Sequence, residues 1–179
     1  MSAAVFPPRG LRVVLCQINS QYIHSALAPW CLAAAVTARS ALPHLLRVED
    51  ANINQPIEGV ADRLCAGAPD LIGLSCYIWN AAYLRQLLPL LRLRLPSVIL
   101  VAGGPQASFD CADFWEKNPE FDHLLAGEGE VSFPLLLDAL AGTGEVDAVQ
   151  GLVRKTVDGL HQNPPAPPVT ALDDPYTAA

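Results

Sequence analysis

Four short segments of the sequence combine glycine, hydroxyl, aromatic and carboxylate residues, and each follows an apolar run typical of a buried strand. The segments lie at 19–24, 75–80, 103–108 and 127–130. If the strands are parallel, their carboxyl ends meet at one edge of a sheet, where ligands of open α/β folds bind. The sequence therefore predicts a ligand site at this edge, and its candidate residues are Asn19, Ser20, Tyr22, His24, Ser75, Tyr77, Ile78, Trp79, Asn80, Gly103, Gly104, Pro105, Gln106, Ser108, Gly127, Glu128, Gly129 and Glu130.

Sequence patterns that carry catalytic or metal chemistry are missing from the chain. It contains no G-x-S-x-G elbow, no Walker A sequence and no C-x-x-C pair. Its four histidines form no pair spaced by three or four residues, and "GEGEVS" lacks the third glycine of a dinucleotide-binding motif. We therefore predict neither a catalytic residue nor a metal ligand within this chain.

The glycine pair Gly103-Gly104 allows two interpretations. Glycine permits a turn with positive φ between a strand and a helix, and it also permits a large ligand to lie against the backbone. Other candidates have structural alternatives as well, namely a backbone hydrogen bond for Ser75 and core packing for Tyr77 and Trp79. From these residues alone, the two interpretations stay open.

Composition limits the classes of partner. The chain has 179 residues, of which 51% are hydrophobic and 16% charged, as expected for one folded domain. Its net charge of -7 disfavours nucleic acid as the main partner. The sequence shows neither an uninterrupted apolar run of about 18 residues nor a signal peptide, so we expect no membrane span and a cytoplasmic location. The five cysteines, an odd number, are expected to be reduced thiols.

Strand and helix patterns alternate along most of the chain. Apolar runs at 11–16, 45–51, 70–77, 97–104 and 121–130 predict five strands, and each is followed by a helical pattern. Such alternation predicts an α/β fold with a parallel sheet and helices on both of its faces. The helix at 80–96 has leucines on one face and arginines on the other, with Pro89 inside it.

The character of the sequence changes after Gly142. Residues 143–162 predict a two-stranded hairpin that turns at Asp158-Gly159, and the proline-rich stretch at 163–179 predicts an extended linker or tail. We therefore divide the chain into an N-terminal extension at 1–10, a folded domain at 11–142, the hairpin and the tail.

Three stretches, "GLSCYIWN", "VAGGPQAS" and "LLAGEGEVSFPLLL", together resemble the cobalamin-binding domain that precedes the catalytic barrel of cobalamin-dependent radical SAM enzymes. The resemblance covers roughly residues 10–142, and the tail ending in "LDDPY" is similar to the linker toward that barrel. It implies a flavodoxin-like (Rossmann-like) sheet of five parallel strands in the order 2-1-3-4-5. The stretch from Asn19 to Trp30 is similar to one subgroup with the pattern N-x-x-Y-x-H-x-x-L-A-P-W.

The family's three cobalamin signatures are only partly present. Residues 75–77 stand in the place of S-x-L at the third strand, and residues 103–104 in the place of G-G after the fourth. D-x-H-x-x-G after the first strand is absent around His24, so the resemblance implies no histidine ligand to cobalt. It implies instead that the cofactor's nucleotide tail lies along the glycines, within hydrogen-bonding reach of Ser75 and Ser108. The corrin would then lie on a bed made by the 19–24 loop with Tyr77, Ile78 and Trp79.

The radical SAM half of such an enzyme is not within these residues, because C-x-x-x-C-x-x-C does not occur. The resemblance therefore implies that this chain binds cobalamin as its small-molecule cofactor. S-adenosylmethionine and a 4Fe-4S cluster would belong to a barrel in the same full-length chain, which we expect to be a methyltransferase. Two alternatives stay open: a stand-alone flavodoxin-like domain that binds a flavin or nucleotide, and a protein-interaction domain.

Overall fold

The computed structural model describes residues 10–21 and 26–173. Within them a single sheet contains seven strands: β1 (Arg12–Asn19), β2 (Leu45–Asn52), β3 (Leu71–Ser75), β4 (Ile99–Gly103), β5 (His123–Leu125), β6 (Leu152–Thr156) and β7 (Gly159–Gln162). Their spatial order is β2-β1-β3-β4-β5-β6-β7. The first five strands are parallel, and β6 and β7 continue the sheet antiparallel.

The predicted α/β class and the order 2-1-3-4-5 of the parallel strands are confirmed. One difference is that the C-terminal hairpin is part of the same sheet, because β6 pairs with β5. Strand β5 has only three residues, and this pairing covers an edge that would otherwise be open. The hairpin turns at Val157-Asp158 rather than at Asp158-Gly159, since Thr156 pairs with Gly159.

Helices cover both faces of the sheet. They are α1 (Leu27–Arg39), α2 (Ile57–Cys65), α3 (Ala81–Arg94), α4 (Pro105–Phe109), α5 (Cys111–Lys117) and α6 (Gly129–Leu140). One core contains side chains of α2, α3 and α5, and a second core contains side chains of α1 and α6. We call the two sides of the sheet the α3 face and the α6 face. Because both are covered, the central strands are apolar on both sides.

Helix α3 follows the predicted pattern. Its buried residues are Tyr83 and the leucines at 84, 87, 88 and 91, and the helix continues through Pro89. Two elements differ from the prediction. Strand β1 extends to Asn19, which is therefore buried in the sheet instead of lying in a loop. Residues 105–109 form α4, a short helix that begins at Pro105, where its missing N–H leaves no unpaired donor.

The amino end of the sheet is closed by polar side chains. Arg12 forms an ion pair with Asp70 at 2.9 Å, and Asp70 also accepts a hydrogen bond from the Arg12 backbone N–H. On the α6 face, His44 Nδ1 accepts from the Leu11 N–H at 3.0 Å. Its Nε2 lies 3.0 Å from the Ser40 hydroxyl, which donates to Asp138 at 2.6 Å. These bonds tie β1 and the segment before β2 to α6.

The described part of the proline-rich tail, 163–173, forms no helix or strand, and it contacts the domain. The Gly151 N–H donates to the Pro164 carbonyl, and the Val169 N–H donates to the Glu128 carboxylate. Asp173 then pairs with Arg39 at 2.8 Å. Among the residues that the structure describes, no helix is long and apolar enough to cross a membrane.

Candidate functional site

A cleft of about 180 Å³ opens between the carboxyl edge of the sheet and the α6-face helices. Strands β1, β3 and β4 form one wall, and the starts of α1 and α6 form the other. Eight of the predicted site residues line it, namely Ser75, Tyr77, Gly103, Gly104, Gly127, Glu128, Gly129 and Glu130. The structure thus brings together three of the four predicted segments at one cleft.

Small residues on two neighbouring strands make the sheet wall. Ser75 of β3 is in register with Gly103 of β4, and Gly73 is in register with Val101 two residues deeper. Since side chains alternate along a strand, these four positions share the α6 face. The wall is therefore almost bare near the mouth of the cleft.

Gly103 and Gly104 have different roles, which answers the question that the sequence left open. Gly104 has φ +96, and a Cβ there would lie 2.9 Å from the Cys76 carbonyl oxygen, so this glycine is required by the turn. Gly103 is in β4, and the nearest atom to a Cβ there, among the described residues, would be the Leu125 carbonyl oxygen at 4.0 Å. Gly103 therefore leaves open space beside the strand.

The two candidate serines differ in the same way. The Ser108 hydroxyl donates to the Gly104 carbonyl and accepts from the Gly127 N–H, both at 3.0 Å. It therefore ties the loop after β4 to the loop after β5. Ser75 is half-buried in the cleft wall, and within the described part of the chain its hydroxyl makes no hydrogen bond. Its hydroxyl can bind a ligand.

An aromatic platform lies at the mouth of the cleft. The rings of Tyr77 and Trp79 stack with centroids 4.3 Å apart, and Trp79 Nε1 donates to the Ile18 carbonyl at 3.3 Å. Trp79 is 43% exposed and Ile78 is 80% exposed, so these side chains lie at the surface rather than in the core. Asn80 is fully buried beneath them, where it positions the loop.

Asn80 shapes this platform through three backbone groups. Its Nδ2 donates to the carbonyls of Ile18 and Ser75, and its Oδ1 accepts from the Tyr77 N–H at 2.9 Å. These bonds fix the chain between β3 and α3 next to the end of β1. Asn80 thus acts on the site through the loop.

The remaining candidates lie beside the cleft or outside the described residues. Asn19 is buried, and its Oδ1 accepts from Gln17 Nε2 at 3.0 Å. Pro105 is exposed at the start of α4, where the half-buried Gln106 donates its backbone N–H to the Cys76 carbonyl. Ser20 is half-buried after β1. Tyr22 and His24 lie outside the described residues.

Two thiols of the described residues near the cleft are held in their protonated form. Burial raises the pKa of the Cys16 thiol to about 12, and burial also raises the pKa of Cys76. No described histidine lines the cleft, and no group of three histidine, cysteine or acidic residues in the described segments could bind a metal. Glu128 and Glu130 add negative charge and hydrogen-bond acceptors at the mouth.

Several lining residues were not among the candidates from the sequence. Gly73 carries a signal that could have identified it, because a glycine inside a buried strand often marks a close approach of another group. Leu32 of α1 and Phe133 of α6 carry none, since their positions in apolar helices are typical of ordinary core residues. The other apolar lining residues include Leu15, Ala28, Pro29, Val101 and Leu125.

A doubly wound parallel sheet with a glycine-lined cleft at its carboxyl edge defines a flavodoxin-like cofactor-binding domain. The family described as "B12 binding domain" matches residues 6–137. Because this match covers more than half of the chain, the protein belongs to that family. The cofactor of the family is vitamin B12, cobalamin, in agreement with the prediction.

Known relatives are much longer proteins. The cobalamin-dependent radical SAM methyltransferase TokK of Streptomyces tokunonensis is 39% identical over 107 residues, which are 59% of this chain and 15% of TokK. The radical enzyme OxsB, solved with aqua-cobalamin and S-adenosylmethionine bound, has a TM-score of 0.72 at 20% identity over 89% of this chain and 23% of OxsB.

The methyltransferase TsrM of Kitasatospora setae, solved with cobalamin and a [4Fe-4S] cluster, has a TM-score of 0.61 at 21% identity over 90% of this chain and 30% of TsrM. Because OxsB and TsrM are only 20% and 21% identical to this chain, their structures show that the fold is shared and no more. This chain spans about a seventh of TokK and under a third of either solved relative.

Proposed function

We propose that this chain is the cobalamin-binding module of a radical SAM methyltransferase. The nucleotide tail of the cofactor would lie in the cleft, and the corrin ring would lie across its mouth. The observation that carries this proposal is the open wall at Gly103, where the backbone of β4 faces an apolar cleft without a side chain between them.

The residues of the cleft suit this cofactor. Its sheet wall has Gly103 and Ser75 side by side, so a flat group can lie against the strands while the Ser75 hydroxyl binds a polar atom of the tail. At the mouth, the carboxylates of Glu128 and Glu130 can accept hydrogen bonds from the amide groups around a corrin. Bound cobalamin supplies methyl-transfer chemistry at its cobalt.

The aromatic platform would support the corrin from below. Tyr77 and Trp79 are already stacked, and Asn80 and the Ile18 carbonyl hold their loop, so little side-chain freedom would be lost on binding. Apolar surface at this position would also keep water away from the lower side of the ring. In that arrangement the platform shields the cofactor, and the described residues provide no histidine beneath it.

The rest of the enzyme would be supplied by a longer chain. TokK is named as a cobalamin-dependent radical SAM methyltransferase, and it is 39% identical to this chain over the matched region. We infer that the tail leads to a radical SAM barrel that binds S-adenosylmethionine and a 4Fe-4S cluster. The substrate would be selected by that barrel.

Titration with aquacobalamin, followed by visible absorbance, tests the binding proposal. We expect a saturable spectral change and cofactor that stays with the protein through gel filtration. Gly103→Leu should weaken binding by roughly tenfold or more, because the new side chain would occupy the cleft. Gly59→Leu is the matched control, since a Cβ at Gly59 on helix α2 meets nothing within 4 Å.

Absence of any spectral change with the unaltered chain would contradict cobalamin binding. Retention of a flavin spectrum instead would favour the alternative of a flavin-binding domain. Equal weakening of cobalamin binding by the variants at Gly103 and Gly59 would contradict a blocked cleft and would point to a loss of fold in both. Circular dichroism of both variants checks whether they are folded.

A further inference from the structure

The polarity of the cleft changes from its mouth to its depth. Near the mouth lie Ser75, Glu128 and Glu130, which can donate or accept hydrogen bonds. The deeper lining is apolar: Leu15 and Val101 are in register with Gly73 on their neighbouring strands, and the Phe133 ring of α6 lies opposite Gly73.

Gly73 and Phe133 close the bottom of the cleft. A Cβ on Gly73 would lie 2.8 Å from Leu15 Cδ2 and 3.8 Å from two atoms of the Phe133 ring. The Leu15 side chain therefore packs directly on the bare backbone of β3, with the Phe133 ring beside it. This floor offers an apolar surface.

Hydrogen-bonding groups in the depth are already used or directed elsewhere. The strands there pair with one another along β1, β3 and β4, so their backbone groups belong to the sheet. Cys16 borders the cleft, but its side chain is part of the core on the α3 face. Among the described residues, the lining side chains with a nitrogen or oxygen are Ser75, Tyr77, Glu128 and Glu130, and all of them lie nearer the carboxyl edge than Leu15, Gly73 and Val101.

We infer that the deep end of this cleft selects the lower base of the corrinoid, favouring a benzimidazole over a purine. This inference rests on the proposed function, because it assigns the cleft to the nucleotide tail. The two kinds of base have similar size and shape, so the walls would admit both. The two bases differ at their edges, because adenine carries an exocyclic amine and additional ring nitrogens. These polar atoms lose their hydrogen bonds to water when the base is buried.

The apolar depth would leave those polar atoms without partners, which disfavours the purine form. A dimethylbenzimidazole has methyl groups on the corresponding edge, and these would contact the apolar side chains of Leu15, Val101 and Phe133. The chain would thus distinguish cobalamin from corrinoids with adenine in the same place. The Ser75 hydroxyl at the mouth would contact the tail of either form and would not contribute to the choice.

Three corrinoids test the inference in one absorbance titration: cobalamin, its adenine-tailed analogue pseudocobalamin, and cobinamide, which lacks the base. We expect cobalamin to bind roughly ten- to a hundredfold more tightly than pseudocobalamin. Equal affinities for these two, with cobinamide weaker, would overturn the selectivity while leaving cobalamin binding intact. Equal affinities for all three would overturn it too, since the base would then contribute nothing, and no binding of any would contradict the proposed function itself.

A pair of matched substitutions locates the selectivity. Val101→Thr places a hydroxyl in the depth with little change of volume, and it should reduce the preference for cobalamin severalfold. Val98→Thr makes the same change in the α3-face core and should leave the preference unchanged. A preference unaltered by Val101→Thr would show that the apolar depth does not set it. If that variant does not fold, the titrations of the unaltered chain decide the question.

Discussion

The two faces of the sheet are built from the same strands, yet they are packed differently. On the α3 face, strand residues such as Ile72, Leu100 and Leu124 are fully buried against helices. On the α6 face, neighbouring positions are Gly73, Ser75 and Gly103, and a cleft separates the sheet from α1 and α6 at the carboxyl edge. The comparison teaches that the α3 face is packed to the carboxyl edge, whereas the α6 face keeps its own core and is open only at that edge.

A matched pair of leucine truncations tests this difference most strongly. Leu100→Ala on the α3 face should lower the free energy of unfolding by about 3 to 5 kcal/mol, because it opens a cavity in a fully packed core. Leu15→Ala on the α6 face should cost about 2 kcal/mol, since that side chain already borders the cleft. Urea unfolding measures both. Equal losses would contradict the division between the faces.

Two glycines with positive φ give the next largest effect. Gly104→Ala should lower stability by about 2 to 3 kcal/mol, because the new Cβ would lie 2.9 Å from the Cys76 carbonyl oxygen in a conformation that glycine favours. Gly127→Ala, which has φ +95 but nothing within 4 Å, should cost about 1 kcal/mol. Thermal unfolding compares them. A larger cost at Gly127 would show that the contact with Cys76 is unimportant.

Stability should depend on pH through the α6 face. Burial lowers the pKa of His44, with Asp138 opposing the shift, and burial also lowers the pKa of His123. Below about pH 6.5 the unfolded chain therefore binds protons that the folded chain does not, and stability falls as the pH falls. Protonation would also break the bond that His44 Nδ1 accepts from the Leu11 N–H.

We expect His44→Asn to reduce the loss of stability between pH 7.5 and 5.5 by about 1 kcal/mol, as measured by urea unfolding at both values. Asparagine keeps an acceptor for the Leu11 N–H and does not titrate. His161→Asn on the exposed strand β7 is the control and should leave the pH dependence unchanged. If the stability of His44→Asn falls between pH 7.5 and 5.5 as much as that of the unaltered chain, His44 is not the cause of the pH dependence.

The smallest expected change in stability comes from the contact between the proline-rich tail and helix α1. Asp173→Asn removes the ion pair with Arg39, and because both side chains are partly exposed it should cost less than about 0.5 kcal/mol in urea unfolding. Asp113→Asn, which removes the pair with Lys117 on helix α5, is the matched control with a similar cost. A loss above about 1 kcal/mol at Asp173 alone would mean that the tail is an integral part of this face.

Much of the fold was predictable because local patterns and sheet topology agree. The five apolar runs, the leucine face of α3 and the proline-rich tail each have a period or composition that permits few structures. The boundaries were less accurate. Strand β1 extends to Asn19 because its partner β2 continues to Asn52, and a pairing partner is not visible in the sequence of one strand.

The candidate site was predictable as an edge and not as a set of contacts. Glycine, serine and acidic residues after the strands pointed to the carboxyl end of the sheet, where eight of the predicted residues line a cleft. The sequence could not show that Ser108 and Asn80 bind the backbone, whereas the Ser75 hydroxyl makes no hydrogen bond to any residue that the structure describes. Hydrogen-bond partners from distant segments decide such roles, and they meet only in the folded chain.

The sequence by itself determined the parallel sheet and the edge of it where the glycine, serine and acidic residues gather, because periodicity and spacing are local properties. Its short motifs carried the resemblance to the B12-binding family. Tertiary structure alone decided which glycine serves the turn and which one opens the wall. Gly103 and Gly104 are adjacent in sequence, but only Gly104 would bring a Cβ against Cys76. Their difference depends on the distance to a loop almost 30 residues away, which the fold sets.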